Sequence, residues 1–355
     1  MSLADLRQKI DAIDTELLRL LNERAEIVHG IGVIKKRDGL QIYAPEREES
    51  LLRSLVEKNR GLLPEKSIRA IYREIMSAAL ALEEDLKIAY LGPEGTWTHE
   101  AAIAKFGGSV DYLPQPNVTD VFDHVARRVA DYGVVPIESS TEGAAQHVFD
   151  LFAEFPLKIC AQLVVPIDIC LMARGDPAAI RKIYGHPGVL AACRNWLERQ
   201  GAPHTCEEVS STRRAAELAG GDPAAAAVGS PLAASLAGLR IVAKNIQNED
   251  NETRFVVVGR KPCPRTGDDL TSVIVSGNID TGAVLETLSV LNEWRLHVAQ
   301  VDSHLQSSGS GRFSFYIEVE GHIEDDAVAH AVEKLESQGK RVTLLGSYPR
   351  PWRPE

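Results

Sequence analysis

The chain has 355 residues, more than one ordinary domain holds, so two or three domains are expected. Its composition, 44% hydrophobic and 25% charged with 6% aromatic, excludes a chain disordered throughout and a collagen-like fibre. Against 39 Lys and Arg stand 50 Asp and Glu, a formal net charge of −11. No global basic field exists for nucleic acid or an anionic membrane, so cations that matter must act locally, inside a pocket.

The five cysteines, at 160, 170, 193, 206 and 263, include no C-x-x-C, and no His pair stands at zinc spacing. A reducing, cytoplasmic setting with no metal or cofactor is the simplest reading. The opening Met-Ser-Leu-Ala-Asp-Leu-Arg has no apolar leader region, and no run of about 18 apolar residues follows. Neither export nor membrane insertion is expected.

Residues 1–86 carry helical periodicity alone. Leu3, Leu6, Ile10, Ile13, Leu17 and Leu20 step by threes and fours, and Ile27, Ile31 and Ile34 continue that seam. A helix from about residue 4 to about 37 runs roughly 50 Å, too long for one small domain to cover, which calls for a partner helix and a partner chain. Pro45 with Glu46, Glu48 and Glu49 marks a second helix start, and Gly61 its stop. Leu63-Pro64-Glu65 opens a third, with Ile68, Ile71, Ile75, Ala79 and Leu82 on one face.

At Lys87 the pattern changes. Apolar runs at Lys87–Leu91, Tyr132–Pro136, Leu157–Val165, Ile167–Ala173, Ala224–Val228 and Phe255–Gly259 alternate with helical stretches. This predicts α/β with a largely parallel sheet. The segment from Lys261 to Gly267, with Pro262 and Pro264, reads as a linker. Beyond it come strand Thr271–Ser276, helix Thr281–Glu293, strand Leu296–His304 and a turn at Ser307–Gly311. Strand Phe313–Glu320, helix Glu324–Gln338 and strand Arg341–Ser347 complete a ferredoxin-like β-α-β-β-α-β order. Domains are expected over 1–86, 87–263 and 268–355.

Arg24 interrupts the apolar seam between Leu20 and Ile27. It either snorkels and fixes the helix register or builds an anion site inside a bundle. Lys35 shares its face, about 20° away at 100° per residue. Arg7 and Arg24 are about 25 Å apart along a straight helix, so they can grip one small dianion only from different protomers.

The run Leu6-Arg-x-x-Ile-Asp-x-Ile-Asp-x-x-Leu-Leu-x-Leu-Leu-x-x-Arg24, with Lys35, Pro45-x-Arg47-Glu48 and Ala78, Leu82 and Glu83, resembles the all-helical chorismate mutase domain. The resemblance implies a three-helix domain in an intertwined homodimer that rearranges chorismate to prephenate. Arg7 of the partner subunit, with Arg24 and Arg47, would clamp the two carboxylates. Lys35 would donate to the ether oxygen, and Glu48 would accept from the ring hydroxyl. Such a rearrangement needs no nucleophile, only a compact conformer and donors aimed at the oxygen that gains charge. Glu83 stands where many relatives have a glutamine donor, and Ala79 where a serine is frequent. A carboxylate donates only when protonated, so mutase activity is expected to rise toward mildly acidic pH.

Leu91-Gly-Pro-Glu-Gly-Thr96-Trp-Thr98, Gly133-Val-Val-Pro-Ile-Glu138, Ser140-Thr141-Glu-Gly143 and Asn251-Glu-Thr253-Arg254-Phe255 resemble prephenate dehydratase. This implies two α/β lobes like those of type II periplasmic binding proteins, with the site in the cleft. Thr253 would give a proton to the departing hydroxyl, with Arg254 as a nearby cation and Phe255 beside them. Thr96, Glu138, Ser139, Ser140, Thr141 and His186 would bind substrate. A histidine beside proline at a strand-to-helix turn also has a structural reading, ordering the loop through a backbone hydrogen bond.

Ser139, Gly185 and Ala192 stand where relatives carry longer polar side chains. Each buried hydrogen bond lost that way costs about 1–3 kcal/mol. An alternative is therefore an active mutase whose dehydratase lobe is impaired, altered in chemistry, or a ligand-sensing module.

Gly282-Ala283-Val284-Leu285 and Val301-Asp302-Ser303-His304 resemble the two motifs of ACT regulatory domains, the second with Asp302, His304 and Leu305 changed. The resemblance implies a phenylalanine effector held by Gly282, Ala283, Val284, Leu285, Asp302 and Ser303, although a purely structural pairing module remains an alternative. The order of segments resembles the bifunctional chorismate mutase–prephenate dehydratases, acting as a homodimer or a dimer of dimers.

Overall fold

Ser2 opens the first helix, α1 (Leu3–Asp38). Its hydroxyl accepts from Asp5 N at 3.2 Å while the Asp5 carboxylate accepts from Ser2 N at 2.7 Å, a reciprocal cap. Gly39 closes the helix at φ 67°, with Lys35, Lys36 and Arg37 facing the carbonyl end of the dipole. Helix α2 (Pro45–Lys58) starts on its proline with Glu46 and Glu48 in the first turn, and α3 (Glu65–Glu83) follows. The computed structural model describes residues 2–39, 43–139, 143–144, 146–200, 204–276, 282–305 and 313–351.

The seam expected on α1 lies uncovered in the single chain. From Leu3 through Ile34 its nine apolar residues are all exposed, the least of them, Ile31, at 44%. Ion pairs tie α2 to α3: buried Arg69 binds Glu65 at 2.8 Å and Glu49 at 3.5 Å, and Glu49 also takes Arg53 at 3.1 Å.

This helical unit, residues 1–87, also takes in residues 105–111. Gly107, at φ 75°, sits where a Cβ would fall 2.4 Å from Ser77 Cβ. The amides of Gly108 and Ser109 donate to Glu74 Oε2 at 3.1 Å and Ser77 Oγ at 3.0 Å.

The second unit comprises residues 88–104 and 112 onward. In chain order the elements from Lys87 are β1 (Lys87–Leu91), α4 (Trp97–Phe106), β2 (Asp111–Gln115), α5 (Val118–Ala126), β3 (Tyr132–Ser139), β4 (Gly143–Ala144), α6 (Gln146–Glu154) and β5 (Lys158–Pro166). Then come β6 (Cys170–Ala173), β7 (Lys182–Gly185), α7 (Pro187–Ala192), α8 (Arg194–Arg199), β8 (Thr205–Glu208), α9 (Thr212–Gly221), β9 (Ala225–Gly229), α10 (Pro231–Leu236), β10 (Arg240–Ala243) and β11 (Glu252–Gly259).

These strands build two lobes, with sheet orders β2-β1-β3-β11-β5 and β10-β6-β9-β7-β8. The expectation of a largely parallel sheet is corrected, since both sheets are mixed. Strand β1 runs parallel to β3, whereas β11 is antiparallel to β3 and to β5. Strand β7 is parallel to β8 and β9, whereas β6 is antiparallel to β9 and β10. The cause is the path of the chain. It leaves the first lobe after β5, builds the second, and returns through β11, and antiparallel neighbours need no helical crossover.

The last segment holds β12 (Asp269–Ser276), α11 (Gly282–Glu293), β13 (Val298–Leu305), β14 (Phe313–Glu320), α12 (Asp326–Ser337) and β15 (Arg341–Pro349). Its antiparallel sheet, ordered β13-β14-β12-β15, has the ferredoxin-like arrangement read from the sequence. The turn expected at Ser307–Gly311 lies outside the described residues. This sheet shares a core with the first lobe, where Leu270, Ile274, Tyr316, Leu345 and Tyr348 pack among Val135, Ile137, Phe149 and Ile159. A Cβ on Gly346 would fall 2.3 Å from Ile159 O, so the glycine lets β15 lie directly on β5.

None of the five cysteines forms a disulfide, and among the described residues no helix is long and apolar enough to cross a membrane.

Candidate active site

In the helical unit the structure joins Lys35 to Glu83, with Nζ 3.5 Å from Oε2 and Glu83 buried. Helix α1 can approach α3 this closely because residue 32 is glycine. A Cβ there would lie 2.8 Å from Glu83 Cγ and 3.4 Å from Oε2. Arg24 is half-buried on the same helix, while Arg7 and Arg47 are exposed. Ala79 is buried in α3.

Glu48 is largely covered and pairs with Lys105, whose Nζ stands 3.1 Å from Oε1. Lys105 lies over the Tyr43 ring, which packs on Phe106.

Between the two lobes of the second unit lies a cleft of about 890 Å³. Strand alternation aims Thr253 and Phe255 of β11 into it, beside Pro136, Glu138 and Ser139 of β3. The facing lobe contributes His186, Val189 and Ala192 around α7, and the loop before β11 contributes Gln247, Asn248 and Asn251. Thr253 is paired across the ladder with Ser139 and Val165, which fixes its height in the cleft. Thr96 lines the same cleft, and its hydroxyl accepts from His99 N at 3.3 Å at the start of α4. His186 is exposed and forms no side-chain cap on α7. Ser140 and Thr141 lie outside the described residues.

The three departures from the family pattern have separate physical settings. Ser139 lines the cleft and donates to Asn251 Oδ1 at 3.2 Å, which keeps that corner polar. Ala192 uses its carbonyl, accepting from Asn248 N at 2.7 Å. Gly185 is packed shut, since a Cβ there would meet Val228 Cγ2 at 2.5 Å and Leu190 Cγ at 2.8 Å. No polar side chain could occupy position 185 without moving these two.

Arg254, between Thr253 and Phe255, points to the opposite face. Its Nη1 donates to Glu138 Oε2 at 3.1 Å, and its Nη2 reaches both oxygens of Glu318 on β14 at 2.9 Å. Burial alone would lower its pKa, but the neighbouring charges, Glu318 foremost, more than offset that and raise it. The buried Glu318 carboxylate also accepts from Gln162 at 3.1 Å, Tyr316 at 3.1 Å and Tyr348 at 2.8 Å. Burial pushes both phenols well above their ordinary range.

Comparison with known proteins follows the same division of the chain. Residues 6–84 match the family model of chorismate mutase type II, and residues 88–263 that of prephenate dehydratase. The chain is 39% identical over 354 residues to the bifunctional chorismate mutase/prephenate dehydratase of Aquifex aeolicus, covering 98% of each. That of Neisseria gonorrhoeae is 39% identical over 348 residues, covering 97% of this chain and 96% of the other. This chain belongs to the bifunctional chorismate mutase/prephenate dehydratases. A prephenate dehydratase from Arthrobacter aurescens, solved in complex with L-Phe, superposes with a TM-score of 0.65 at 31% identity. It covers 75% of this chain and 90% of its own.

For this member of the family, the C-terminal motif residues fall in two places. Gly282, Ala283, Val284 and Leu285 form the first turn of α11, with Ala283 buried and Leu285 exposed. Asp302 and Ser303 are on β13, where Gln300 Nε2 donates to Asp302 and, at 2.9 Å, to Glu138. Burial raises the Asp302 carboxyl above the usual carboxylate range, and the charges of Glu138 and Glu318 add to the rise.

Sequence reasoning missed Lys105, Glu318 and the amides Gln247 and Asn248 just ahead of the quoted Asn251 motif. The last pair had a local signal, polar amides just before the Thr253 strand. The others meet partners 57 and 64 residues away, for which a sequence carries no local sign.

Proposed function

We propose that the helical unit rearranges chorismate to prephenate and that the cleft converts prephenate to phenylpyruvate, water and carbon dioxide. The observation that carries the second step is the convergence of Thr253, Phe255, Glu138 and Ser139 on one wall with His186 on the other. Thr253 protonates the hydroxyl as it leaves. The bond pair released by the departing carboxylate completes the aromatic ring. Glu138, Ser139 and His186, with Thr96, Ser140 and Thr141, hold the substrate, and Arg254 acts from the far side of β11 through Glu138. The chemistry calls for no metal or cofactor.

For the mutase, Lys35 and Glu83 face the ether oxygen, Glu48 takes the ring hydroxyl, and Arg24, Arg47 and the partner's Arg7 bind the two carboxylates. The uncovered apolar seam of α1 supports an intertwined homodimer, since nine exposed apolar residues along one helix call for a second copy. The functional domains are 1–86, 87–263 and 268–355, the last an ACT domain with phenylalanine as effector. The L-Phe complex of the Arthrobacter aurescens relative supports that effector. A cytoplasmic location accords with five cysteines that form no disulfide.

The test feeds prephenate to purified protein and follows phenylpyruvate, with and without phenylalanine. Turnover that phenylalanine suppresses is expected, and Thr253→Ala should abolish it while chorismate is still consumed. Turnover that survives Thr253→Ala would remove that residue from the chemistry.

A further inference from the structure

Glu318 belongs to the C-terminal sheet, yet two of its four donor residues, Gln162 and Arg254, belong to the catalytic lobe. Gln162 is on β5, which pairs with β11, and Arg254 is the residue after Thr253 on β11 itself. Glu318 is 2% exposed, and its donors come from β5, β11, β14 and β15. A buried charge held this fully is expensive to disturb, and its partners have little freedom to move.

Arg254 thus divides its charge between two carboxylates. One, Glu318, is sealed in the domain junction, and the other, Glu138, faces the cleft. Gln300 adds a neutral donor to Glu138 from β13. In the ladder Arg254 sits opposite Glu138 and Thr253 opposite Ser139, with a register break immediately after Arg254. On the β3 side of that break only Thr253 and Arg254 are paired, so the Arg254 side chain adds a tie there to the unbroken pairing of this strand end with β5.

We propose that Glu318 is a positioning residue for the dehydratase, anchoring Arg254 so that Glu138 and Thr253 hold their places on the cleft wall. This rests on the reading of the cleft as the dehydratase site. Without Glu318 the guanidinium charge falls wholly on Glu138. The cleft carboxylate is then drawn toward β11 and neutralised, and the strand end carrying Thr253 loses the side-chain tie beside its ladder pairs. The same cluster gives the C-terminal domain a polar connection to the reacting groups, through Glu318 from β14 and Gln300 from β13.

The experiment compares the full-length wild type with Glu318→Gln, measuring kcat and KM for prephenate, kcat for chorismate and Tm. Wild-type turnover of prephenate checks the cleft reading separately: its absence would sink that reading and this proposal with it, whereas turnover that Glu318→Gln leaves intact sinks this proposal alone. The expected result is a dehydratase kcat reduced at least tenfold, KM within twofold, and mutase kcat unchanged. A folded Glu318→Gln protein with wild-type dehydratase kcat overturns the proposal. So does a loss of kcat that the double variant Arg254→Met/Glu318→Met fully restores, since the pair would then be structural filler. If Glu318→Gln fails to fold, Tyr348→Phe, which removes one donor to Glu318, decides instead. A kcat lowered several-fold at unchanged KM supports the anchor, and an unchanged kcat overturns it.

Discussion

Gly32→Ala puts the packing of α1 on α3 to a direct test. The new Cβ would stand 2.8 Å from Glu83 Cγ, and restoring ordinary carbon contact of about 3.6 Å requires a shift of about 0.8 Å. Two effects on stability oppose one another. Alanine gains about 1 kcal/mol over glycine inside a helix. Overpacking costs about 1–3 kcal/mol. The sum is a small loss, visible as a Tm lowered by a few degrees at most.

Catalysis is far more sensitive to the same shift, because Glu83 and Lys35 are held 3.5 Å apart and a misplacement near 1 Å can cost about 100-fold. We therefore expect mutase kcat/KM to fall roughly 30- to 100-fold, about 2–3 kcal/mol in transition-state stabilisation. Dehydratase activity of the same preparation should be unchanged, because Gly32 lies in the other compact unit. Chorismate consumption followed by absorbance, with phenylpyruvate formation from added prephenate as the internal control, measures both. A mutase rate within twofold of wild type would refute the assignment of Glu83 to the reacting centre. An equal fall in both activities would refute the local nature of the effect.

Glu83→Gln replaces the carboxylate beside Lys35 with an amide that can donate to the ether oxygen, so mutase kcat/KM should equal or exceed wild type. A tenfold or greater fall would mean that the carboxylate itself is required. Asp302→Asn bears on the buried cluster. Because burial raises the folded-state pKa of Asp302, its contribution to stability is fully present below the unfolded value and is lost as pH rises through the folded one. The Tm of the asparagine variant should gain on wild type as pH rises above about 4, the ordinary Asp value, and a constant difference would argue that Asp302 is not desolvated in the fold.

Much of the fold was legible because its signals are local. The apolar seam of α1, the proline and acids opening α2, and the strand-helix order after Asp269 all lie within short windows of sequence. Strand direction was not legible. The antiparallel course of β11 follows from the chain leaving the first lobe after β5 and returning some 85 residues later, about the size of the second lobe. The site divides along the same line. Thr253 and Phe255 could be placed by motif and by alternation. That Arg254 turns away from them to meet Glu318 depends on a third sheet packing where it does. Position 185 makes the point at one residue: the missing side chain suggested a lost hydrogen bond, whereas Val228 and Leu190 fill the space.

The helical unit is discontinuous in the chain, and that has a consequence during synthesis. Its final pieces, Lys105 on Glu48 and the amides of Gly108 and Ser109 on Glu74 and Ser77, lie in residues 105–111. A ribosome that has just released α3 has therefore not yet delivered the ammonium and amide donors that complete it. At about 5–20 residues per second, the three helices wait a second or more for this short segment. By then β1 and most of α4 have also emerged, so the first unit to begin folding cannot be the first to finish without the opening of the second. A gene cut after α3 would remove the same segment permanently, leaving Glu48 without its lysine and Ser77 without the chain that packs against it.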